Sequence, residues 1–239
     1  MQPQFSFPFE VTHEEAIKIQ NELSNSVIKR DVFSNNIRLV AGIDVAYSKT
    51  DTCLYAGIVV LDATTFQTIE TSTFIGTSVF PYYPGLFAFR ELPSIIEAMK
   101  KLTYVPDIVI CDAQGIAHPR RFGLASHFGL LYDIPTIGCG KTLMIGNYHS
   151  MVLSRGSFTP LIDNGEEIGY ALCTQDDVKP LFVSVGHRIS LRTAKEWVLR
   201  LANKYRQTEP IRRANQLVCE LRQRSYPCPL NPEKREHYT

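Results

Sequence analysis

The sequence of 239 residues lacks the cysteine and histidine spacings that hold structural zinc. Its six cysteines form no C-x-x-C pair, and no His stands at zinc-finger distance from them. A zinc module and a secreted disulfide framework are therefore not expected. Four cysteines lie in apolar runs, which is typical of buried, reduced thiols in a cytoplasmic protein: Cys53, Cys111, Cys139 and Cys173.

The sequence also lacks a targeting signal and a membrane-spanning run. The N-terminal stretch MQPQFSFPFEVTHEE has neither a basic start nor an apolar core. The longest uncharged run, Thr71 to Phe89, is interrupted by two prolines and two glycines. We expect a cytoplasmic monomer that has no membrane partner.

The net charge is only +1, which taken alone argues against a nucleic-acid partner. The sum hides an asymmetry, because residues 188–239 contain 12 basic and 5 acidic side chains. This basic excess at one end permits a polyanionic partner. The side chains expected to help hold a nucleic-acid strand include Arg188, Arg192, Lys195, Arg212 and Arg213.

Hydrophobic periodicity predicts strands that alternate with helices. Thr12 and Glu15 have capping-box spacing, so a first helix is expected to run to about Ser26. From Gly85 onward apolar residues recur at helical spacing, and Pro93 should start or kink that helix. Its apolar stripe is Leu92, Ile95, Ile96, Met99 and Leu102. Further strands are predicted at 37–47, 54–61, 66–74, 107–111, 136–139, 167–172 and 181–185, and further helices at 123–131, 191–204 and 209–221.

The order of these elements predicts the fold class. Three successive strands with short links favour an antiparallel meander, and the later alternation of strand and helix favours parallel strands covered on both faces. The prediction is an α/β protein with a ribonuclease H-like mixed sheet, in which three antiparallel strands are followed by parallel strands and helices flank the sheet. We expect a single domain over residues 1–239, with a core at about 14–218 and flexible termini.

Two aspartates are the only charges in strands that otherwise resemble core. Burying Asp44 or Asp112 without a partner costs several kcal/mol, so each position indicates a cation or a hydrogen-bond network. The alternative is that either one caps a turn at a strand end. Glu91 alone is typical of a solvated helix charge, but in the predicted topology it converges with both aspartates. Three such carboxylates suit Mg²⁺, with Mn²⁺ as a substitute, for phosphodiester hydrolysis.

Basic side chains follow the same strands. His118, Arg120 and Arg121 lie in the loop AQGIAHPRRFG after Asp112, where open α/β sheets place their sites. Lys141 follows the next strand in IGCGKT, which fails as a phosphate-binding P-loop because its leading glycine would fall at a proline. A point charge there still suits a scissile phosphate.

The segment PYYPG, from Pro81 to Gly85, is rigid and aromatic. In a nucleic-acid enzyme such a segment is a wedge that stacks on bases when a nucleotide is flipped. The alternative is a buried, Pro-rich turn whose two tyrosines belong to the core.

In combination these motifs resemble the endonuclease V family over about Glu14 to Val218. The ordered blocks are AGIDVAY around Asp44, PYYPGLFAFRELP, DAQGIAHPRRFGLASHFG from Asp112, PTIGCGKT, PLFVSVGHRISL and EPIRRA. The resemblance implies a Mg²⁺-dependent DNA repair enzyme that recognises deoxyinosine and cuts the second phosphodiester bond on its 3′ side. The products would carry 3′-hydroxyl and 5′-phosphate ends.

The resemblance also implies residue roles. Asp44, Glu91 and Asp112 would hold the metal, with His118 and Lys141 assisting at the scissile phosphate. The wedge and base pocket would comprise Pro81, Tyr82, Tyr83, Pro84, Gly85, Leu86, Gly115, Ile116, Arg120 and Gly123.

One departure from the family pattern is Ala113, where glycine is common, followed by Gln114, where His or Asn is frequent. A Cβ at 113 would restrict the backbone and narrow the base pocket. Two alternatives therefore stay open: an endoribonuclease that acts on inosine in RNA, and a binding protein that has kept the pocket but lost turnover.

Overall fold

Eight strands form one mixed sheet in the computed structural model, which describes residues 2–4, 8–34, 36–49 and 53–224. The strand order is β3-β2-β1-β4-β5-β8-β7-β6. The first three strands are antiparallel, β4 and β5 run parallel to β1, and the last three pair antiparallel. The predicted meander followed by parallel strands is confirmed. The bounds are β1 (Leu39–Tyr47), β2 (Cys53–Asp62), β3 (Thr68–Thr77), β4 (Ile108–Cys111), β5 (Thr136–Gly140), β6 (Phe158–Asp163), β7 (Glu166–Leu172) and β8 (Leu181–His187).

Five helices accompany these strands in the described residues: α1 (His13–Ser24), α2 (Phe87–Lys100), α3 (Leu124–Tyr132), α4 (Leu191–Leu201) and α5 (Glu209–Gln223). Apolar side chains of α2 and α3 share one cluster with β1, β2 and β4, whereas those of α4 and α5 share another with β1, β4, β5 and β8. Because successive strand residues point to opposite faces, the two clusters lie on the two faces of the sheet. The predicted cover on both faces is confirmed.

The capping box of α1 is present. The Thr12 hydroxyl accepts a hydrogen bond from the Glu15 backbone N–H at 3.2 Å, and the Glu15 carboxylate accepts one from the Thr12 N–H at 2.7 Å. These reciprocal bonds satisfy two backbone donors that the helix leaves without partners. The helix ends two residues before the predicted Ser26.

Pro93 does not start α2, contrary to one sequence expectation. The helix begins at Phe87 and places Pro93 in its interior. A proline there removes the bond that its N–H would make with the Phe89 carbonyl. All five residues of the predicted apolar stripe are buried, so packing of this face against the sheet stabilises the helix despite the lost bond.

Strand β6 was missing from the sequence prediction. Two of its apolar residues, Phe158 and Ile162, are exposed and Thr159 is buried, although Leu161 is buried, so this edge strand lacks a clean alternation of buried apolar and exposed polar residues. A signal was nevertheless present: Asn164 and Gly165 join β6 to β7 with positive φ angles of 51° and 81°. Asn-Gly at this position is the preferred sequence for a tight hairpin.

The expectation of a reduced thiol is wrong at Cys53, which is disulfide-bonded. Cys111, Cys139 and Cys173 are free and buried, as predicted. The apolar run around Cys53 correctly indicated its burial, but a run of sequence carries no information on whether a second thiol lies nearby. The C-terminal segment beyond residue 224, for which the sequence analysis predicts flexibility, lies outside the described residues.

Glycines bring α5 close to the sheet. A Cβ on Gly42 would lie 2.2 Å from the Pro210 carbonyl carbon, and one on Gly57 would lie 2.5 Å from a Val218 methyl. Only glycine allows this approach without displacing the helix. Among the described helices, none is both long enough and apolar enough to cross a membrane.

Candidate active site

The three predicted carboxylates come from three elements. Asp44 lies in β1, Asp112 directly follows β4, and Glu91 lies in α2. Because β1 and β4 are parallel neighbours, Asp44 and Asp112 lie toward the same end of the sheet. The three acidic groups are close enough that each of the two aspartates repels Glu91 electrostatically. The structure therefore places the three predicted carboxylates in one region, near the same end of the sheet.

Each carboxylate has a donor from another element. Asn215 of α5 donates to Asp44 at 2.8 Å, and Tyr47 donates its hydroxyl hydrogen to Glu91 at 2.5 Å. Asp112 accepts hydrogen bonds from Gln207, at 3.2 Å, and from the Lys141 ammonium. These bonds orient the carboxylates and offset part of the cost of removing them from water.

Burial and mutual repulsion make two of these groups weak acids. Burial raises the pKa of Asp44 to about 6, and the charge of Asp112 adds to this effect. Burial likewise raises the pKa of Glu91 to about 7, although the Tyr47 hydrogen bond opposes the shift. A cation bound between these carboxylates would stabilise their ionised forms, which burial and repulsion destabilise.

Lys141 is a cation that directly contacts a carboxylate of this site, that of Asp112. Burial alone would lower the pKa of its ammonium, but the contact with Asp112 raises the pKa above the usual value. The backbone carbonyl of Lys141 accepts a hydrogen bond from Arg206 at 2.9 Å. The lysine is therefore charged and held at both its backbone and its side chain.

The donor set fits a hard divalent cation. Asp44, Glu91 and Asp112 offer carboxylate oxygens, which Mg²⁺ and Mn²⁺ prefer, and their mutual repulsion favours a positive charge between them. Within the described ranges, no three His, Cys, Asp or Glu side chains lie close enough together, as they stand, to hold a metal ion. The carboxylates instead bond to the amide, hydroxyl and ammonium donors described above.

His118 is buried, with 2% of its surface exposed. Its Nδ1 accepts a hydrogen bond from the Arg120 backbone N–H at 3.2 Å, so the proton lies on Nε2, which donates to the Gly85 carbonyl at 2.8 Å. Burial, with the charge of Arg120, lowers the pKa of His118 to about 4. The ring is therefore neutral at pH 7, with both nitrogens engaged.

The predicted wedge stands at the surface. Tyr82 and Tyr83 are 58% and 38% exposed, so the alternative of core tyrosines is wrong. Tyr82 contacts the Phe87 ring edge-on at a centroid distance of 5.3 Å, and Tyr83 contacts His13 at 4.6 Å. Pro81 and Pro84 are also exposed, whereas Gly85 and Leu86 are buried at the base of the segment.

A cavity of about 640 Å³ connects Gly85, at the base of the wedge, with Glu91 and Asp112, whereas Asp44 does not line it. This is a typical volume for a small-molecule or nucleobase site. Predicted residues and newly found ones share its wall: Gln20, Gly85, Phe87, Ala88, Glu91, Asp112, Ala113, Gln114, His118, Gly123, Leu124, Gly140, Lys141, Thr142, Leu143 and Met144.

Gly115 and Ile116 were predicted in the base pocket, but they do not line this cavity. The Gly115 N–H donates to the Ser184 hydroxyl, the Ile116 N–H donates to the Val185 carbonyl, and the Ile116 side chain belongs to the core. These bonds direct both residues toward β8. Arg120 is also outside the wall, although its guanidinium bonds to Gly85 behind it.

The family departure at Ala113 causes no backbone strain. Ala113 does not have a positive φ, so glycine is not required there, and its methyl group contributes to the cavity wall. The Gln114 amide donates to the Thr142 carbonyl at 3.1 Å, and its buried Oε1 has no hydrogen-bond partner among the described residues. If Ala113 and Gln114 narrow the base pocket, they do so through the volume of their side chains and not through a changed backbone conformation.

The basic residues near the C-terminus are mostly engaged within the protein. Arg212 and Arg213 both pair with Glu209, at 2.7 and 2.9 Å, and Arg192 pairs with Glu196. Arg188 pairs with Asp133, and Lys195 lies 3.8 Å above the Phe158 ring. Each of the five side chains expected to help hold a strand therefore has a partner within the protein.

Sequence reasoning missed several residues that contact the site, among them Gln20, Tyr47, Gln207 and Asn215. Asn215 had a signal, because the buried face of α5 contains Ile211, Ala214 and Val218, and residue 215 falls on the same helical face. Gln20 had a weaker one, four residues after buried Ala16 in α1. Tyr47 and Gln207 stand in stretches whose sequence gives no indication of their partners.

Comparisons with known proteins place these features in one family. The family model described as Endonuclease V matches residues 21–216. An Endonuclease V of Trichormus variabilis is 46% identical over 211 residues, covering 88% of this chain and 96% of the relative. The crystal structure of the Streptomyces avermitilis Endonuclease V superimposes with a TM-score of 0.85 and 43% identity, covering 90% of this chain and 95% of that one.

A further solved relative contains nucleic acid. It is a Ciona intestinalis Endonuclease V variant in complex with a 23mer DNA containing an inosine followed by a ribo-adenosine. The TM-score is 0.79 and the identity 28%, with 90% of this chain and 99% of that one covered. The predicted ribonuclease H-like fold is confirmed by these structural relatives.

Proposed function

This chain belongs to the endonuclease V family of nucleases, and on that premise we propose a Mg²⁺-dependent repair endonuclease that recognises deoxyinosine in DNA. It hydrolyses the second phosphodiester bond 3′ to the inosine and leaves 3′-hydroxyl and 5′-phosphate ends. The single observation that supports the proposal best is the cavity that extends from Gly85, at the base of the exposed aromatic wedge, to Glu91 and Asp112. A flipped base and the phosphate beside it require such adjacent sites.

We propose a role for each site residue. Asp44, Glu91 and Asp112 would hold the metal, which supplies charge stabilisation and an activated water when bound. Lys141, charged and fixed by two contacts, stabilises the negative charge that develops at the scissile phosphate. His118 shapes the pocket wall through Gly85, since both of its ring nitrogens are occupied.

The pocket side of the proposal rests on close backbone packing. A Cβ on Gly123 would lie 2.3 Å from the Gln114 carbonyl oxygen, so the loop after β4 lies directly against the start of α3. Tyr82 and Tyr83 would stack on bases exposed by the extruded nucleotide. The arrangement supports recognition of one unstacked base rather than of a long sequence.

The first test is cleavage of end-labelled strands with inosine or adenine at one position, as DNA and as RNA, in Mg²⁺, Mn²⁺ or EDTA. We expect a nick at the second phosphodiester 3′ to inosine in DNA, with none in EDTA. Equal cleavage of the adenine strand would overturn the specificity, and exclusive cleavage of RNA would transfer the activity to the ribonuclease alternative. Tight inosine binding without any nick would favour the non-catalytic alternative.

Glu91 and Glu97 offer a matched pair of variants within α2. Glu91 faces the site, whereas Glu97 pairs with Lys100 at the surface. We expect Glu91→Gln to reduce nicking by at least about 100-fold, because it removes a metal ligand, and Glu97→Gln to retain wild-type activity. Circular dichroism of both variants checks that the fold is intact. Full activity of Glu91→Gln would overturn its assignment as a ligand.

A further inference from the structure

Gln20 is a buried polar residue on the face that α1 turns toward the protein. Its exposed fraction is 1%, and a carboxamide at such a position is costly unless its polar atoms are bonded. The amide nitrogen donates to the Gly85 carbonyl at 3.1 Å and to the Phe122 carbonyl at 3.0 Å. The amide oxygen accepts from Arg120 Nε at 2.5 Å. Both amide hydrogens and the oxygen are therefore used.

The partners of Gln20 belong to two walls of the cavity. Gly85 ends the wedge segment, and Phe122 directly precedes Gly123, which begins the wall formed by α3. These parts are far apart in sequence, at 65 and 102 residues from Gln20. One side chain from α1 thus joins the wedge segment to the segment that leads into α3.

The Gly85 carbonyl is held by three donors. Besides Gln20, it accepts from His118 Nε2 at 2.8 Å and from Arg120 Nη2 at 2.9 Å. A carbonyl oxygen has two lone pairs, so three donors leave its peptide little freedom to rotate. Gln20 also orients Arg120, so that removing Gln20 weakens two of the three contacts.

We infer that Gln20 is a positioning residue for base recognition: its carboxamide sets the distance between the wedge segment and the wall at Gly123. The inference rests on the proposed function, because it concerns how the same pocket discriminates between bases. Gln20 takes no direct part in the hydrolysis, because none of its hydrogen bonds involves a carboxylate of the site. A residue that only anchors α1 would affect stability without changing discrimination.

The test compares Gln20→Leu and Gln20→Glu with Ile19→Ala. The Leu variant removes all three bonds, and the Glu variant keeps an acceptor for Arg120 but loses both donors. Ile19, on the same helix, packs beside the cluster of Phe80, Leu86 and Phe89 and has no hydrogen bond to the cavity. It therefore serves as the control for helix packing.

For both Gln20 variants we expect the KM for an inosine-bearing strand to rise roughly 10- to 100-fold, with kcat changed less than about twofold. The ratio of kcat/KM between inosine and adenine strands should fall by a similar factor. The Ile19→Ala variant should lose thermal stability but keep the wild-type KM and ratio. If Gln20→Leu does not fold, Gln20→Glu carries the same expectation.

The possible failures are distinguishable. A wild-type protein with no inosine preference overturns the proposed function before any variant is considered. A wild type that prefers inosine, with Gln20→Glu retaining its KM and ratio, overturns the role of Gln20. The role is also overturned if Ile19→Ala reproduces the change in ratio, because the effect then belongs to helix packing.

Discussion

At the scale of single residues, Gly85 combines a backbone requirement with a steric one. Its φ of +79° lies in the left-handed region, and a Cβ there would lie 2.9 Å from Arg120 Nη2 and 3.2 Å from His118 Nε2. Gly165 in the β6–β7 turn has a φ of +81°, but nothing lies within 4 Å of its Cβ position. Both glycines therefore have a backbone conformation that favours glycine, but only at Gly85 would a side chain also collide with its neighbours.

We predict that Gly165→Ala lowers the free energy of unfolding by about 1 to 2 kcal/mol, the cost of a left-handed alanine. Gly85→Ala should cost more than this and should also raise the KM for the inosine strand, because its methyl group displaces the donors of the pocket wall. Urea unfolding and steady-state cleavage measure the two effects. Equal destabilisation with an unchanged KM would contradict the prediction.

At the scale of elements, the segment 206–208, which leads into α5, makes hydrogen bonds that position residues of the active site. Arg206 donates to the backbone carbonyls of Lys141, Lys179 and Pro180, at 2.9, 2.8 and 2.8 Å. Gln207 donates to Asp112, and Asn215 within α5 donates to Asp44. The segment and the helix thus position Lys141, Asp112 and Asp44, although neither contributes a carboxylate to the active site.

Arg155 provides a control for this role. Its guanidinium also bonds to three backbone carbonyls, those of Thr174, Leu199 and Ala202, but none belongs to the site. We predict that Arg206→Gln and Arg155→Gln both lower the free energy of unfolding by about 1 to 3 kcal/mol, because three backbone carbonyls lose a charged donor in each variant. Only Arg206→Gln should also lower kcat, by about tenfold, through displacement of Lys141.

The measurement is single-turnover cleavage at saturating enzyme, together with chemical unfolding of each variant. An Arg206→Gln protein that is destabilised but cleaves at the wild-type rate would show that Lys141 keeps its place without this bond. A slow Arg155→Gln protein would show that the loss of stability itself, rather than the displacement of Lys141, limits the rate.

At the scale of the whole molecule, the raised pKa values couple folding to pH. Asp44 and Glu91, with pKa values of about 6 and about 7, bind protons more tightly in the folded chain than in the unfolded one. Between about pH 4 and pH 7 the folded protein therefore holds more protons. The stabilisation is fully present below the unfolded pKa values and is lost as the pH rises through the folded ones.

We predict that the free energy of unfolding of the metal-free protein falls by about 2 to 3 kcal/mol for each of these groups between pH 4 and pH 8, relative to a variant without that group. Asp44→Asn should flatten this part of the profile and stabilise the metal-free protein at pH 8. Glu97→Gln, a surface change, should leave the profile unaltered. A wild-type profile that coincides with that of Asp44→Asn would contradict the raised pKa.

The sequence by itself determined the local elements and the chemical groups of the site. Periodic apolar residues predicted α2 and the central strands, because burial of one face imposes a spacing that is visible in the chain. Asp44 and Asp112 were recognisable since a lone charge in an apolar strand needs a reason. The motif blocks around them carried the family resemblance, which the comparisons confirmed.

Only the tertiary structure decided which groups surround those carboxylates. Asn215 reaches Asp44 across 171 residues of sequence, and Gln20 reaches Gly85 across 65. The tertiary structure also decided that His118 Nε2 donates its hydrogen to the Gly85 carbonyl. It likewise decided that Arg212 and Arg213 pair with Glu209, whereas composition alone had counted both as part of an unpaired basic excess. Spacing in sequence reports which face of an element is buried, whereas a hydrogen bond depends on how two distant elements pack.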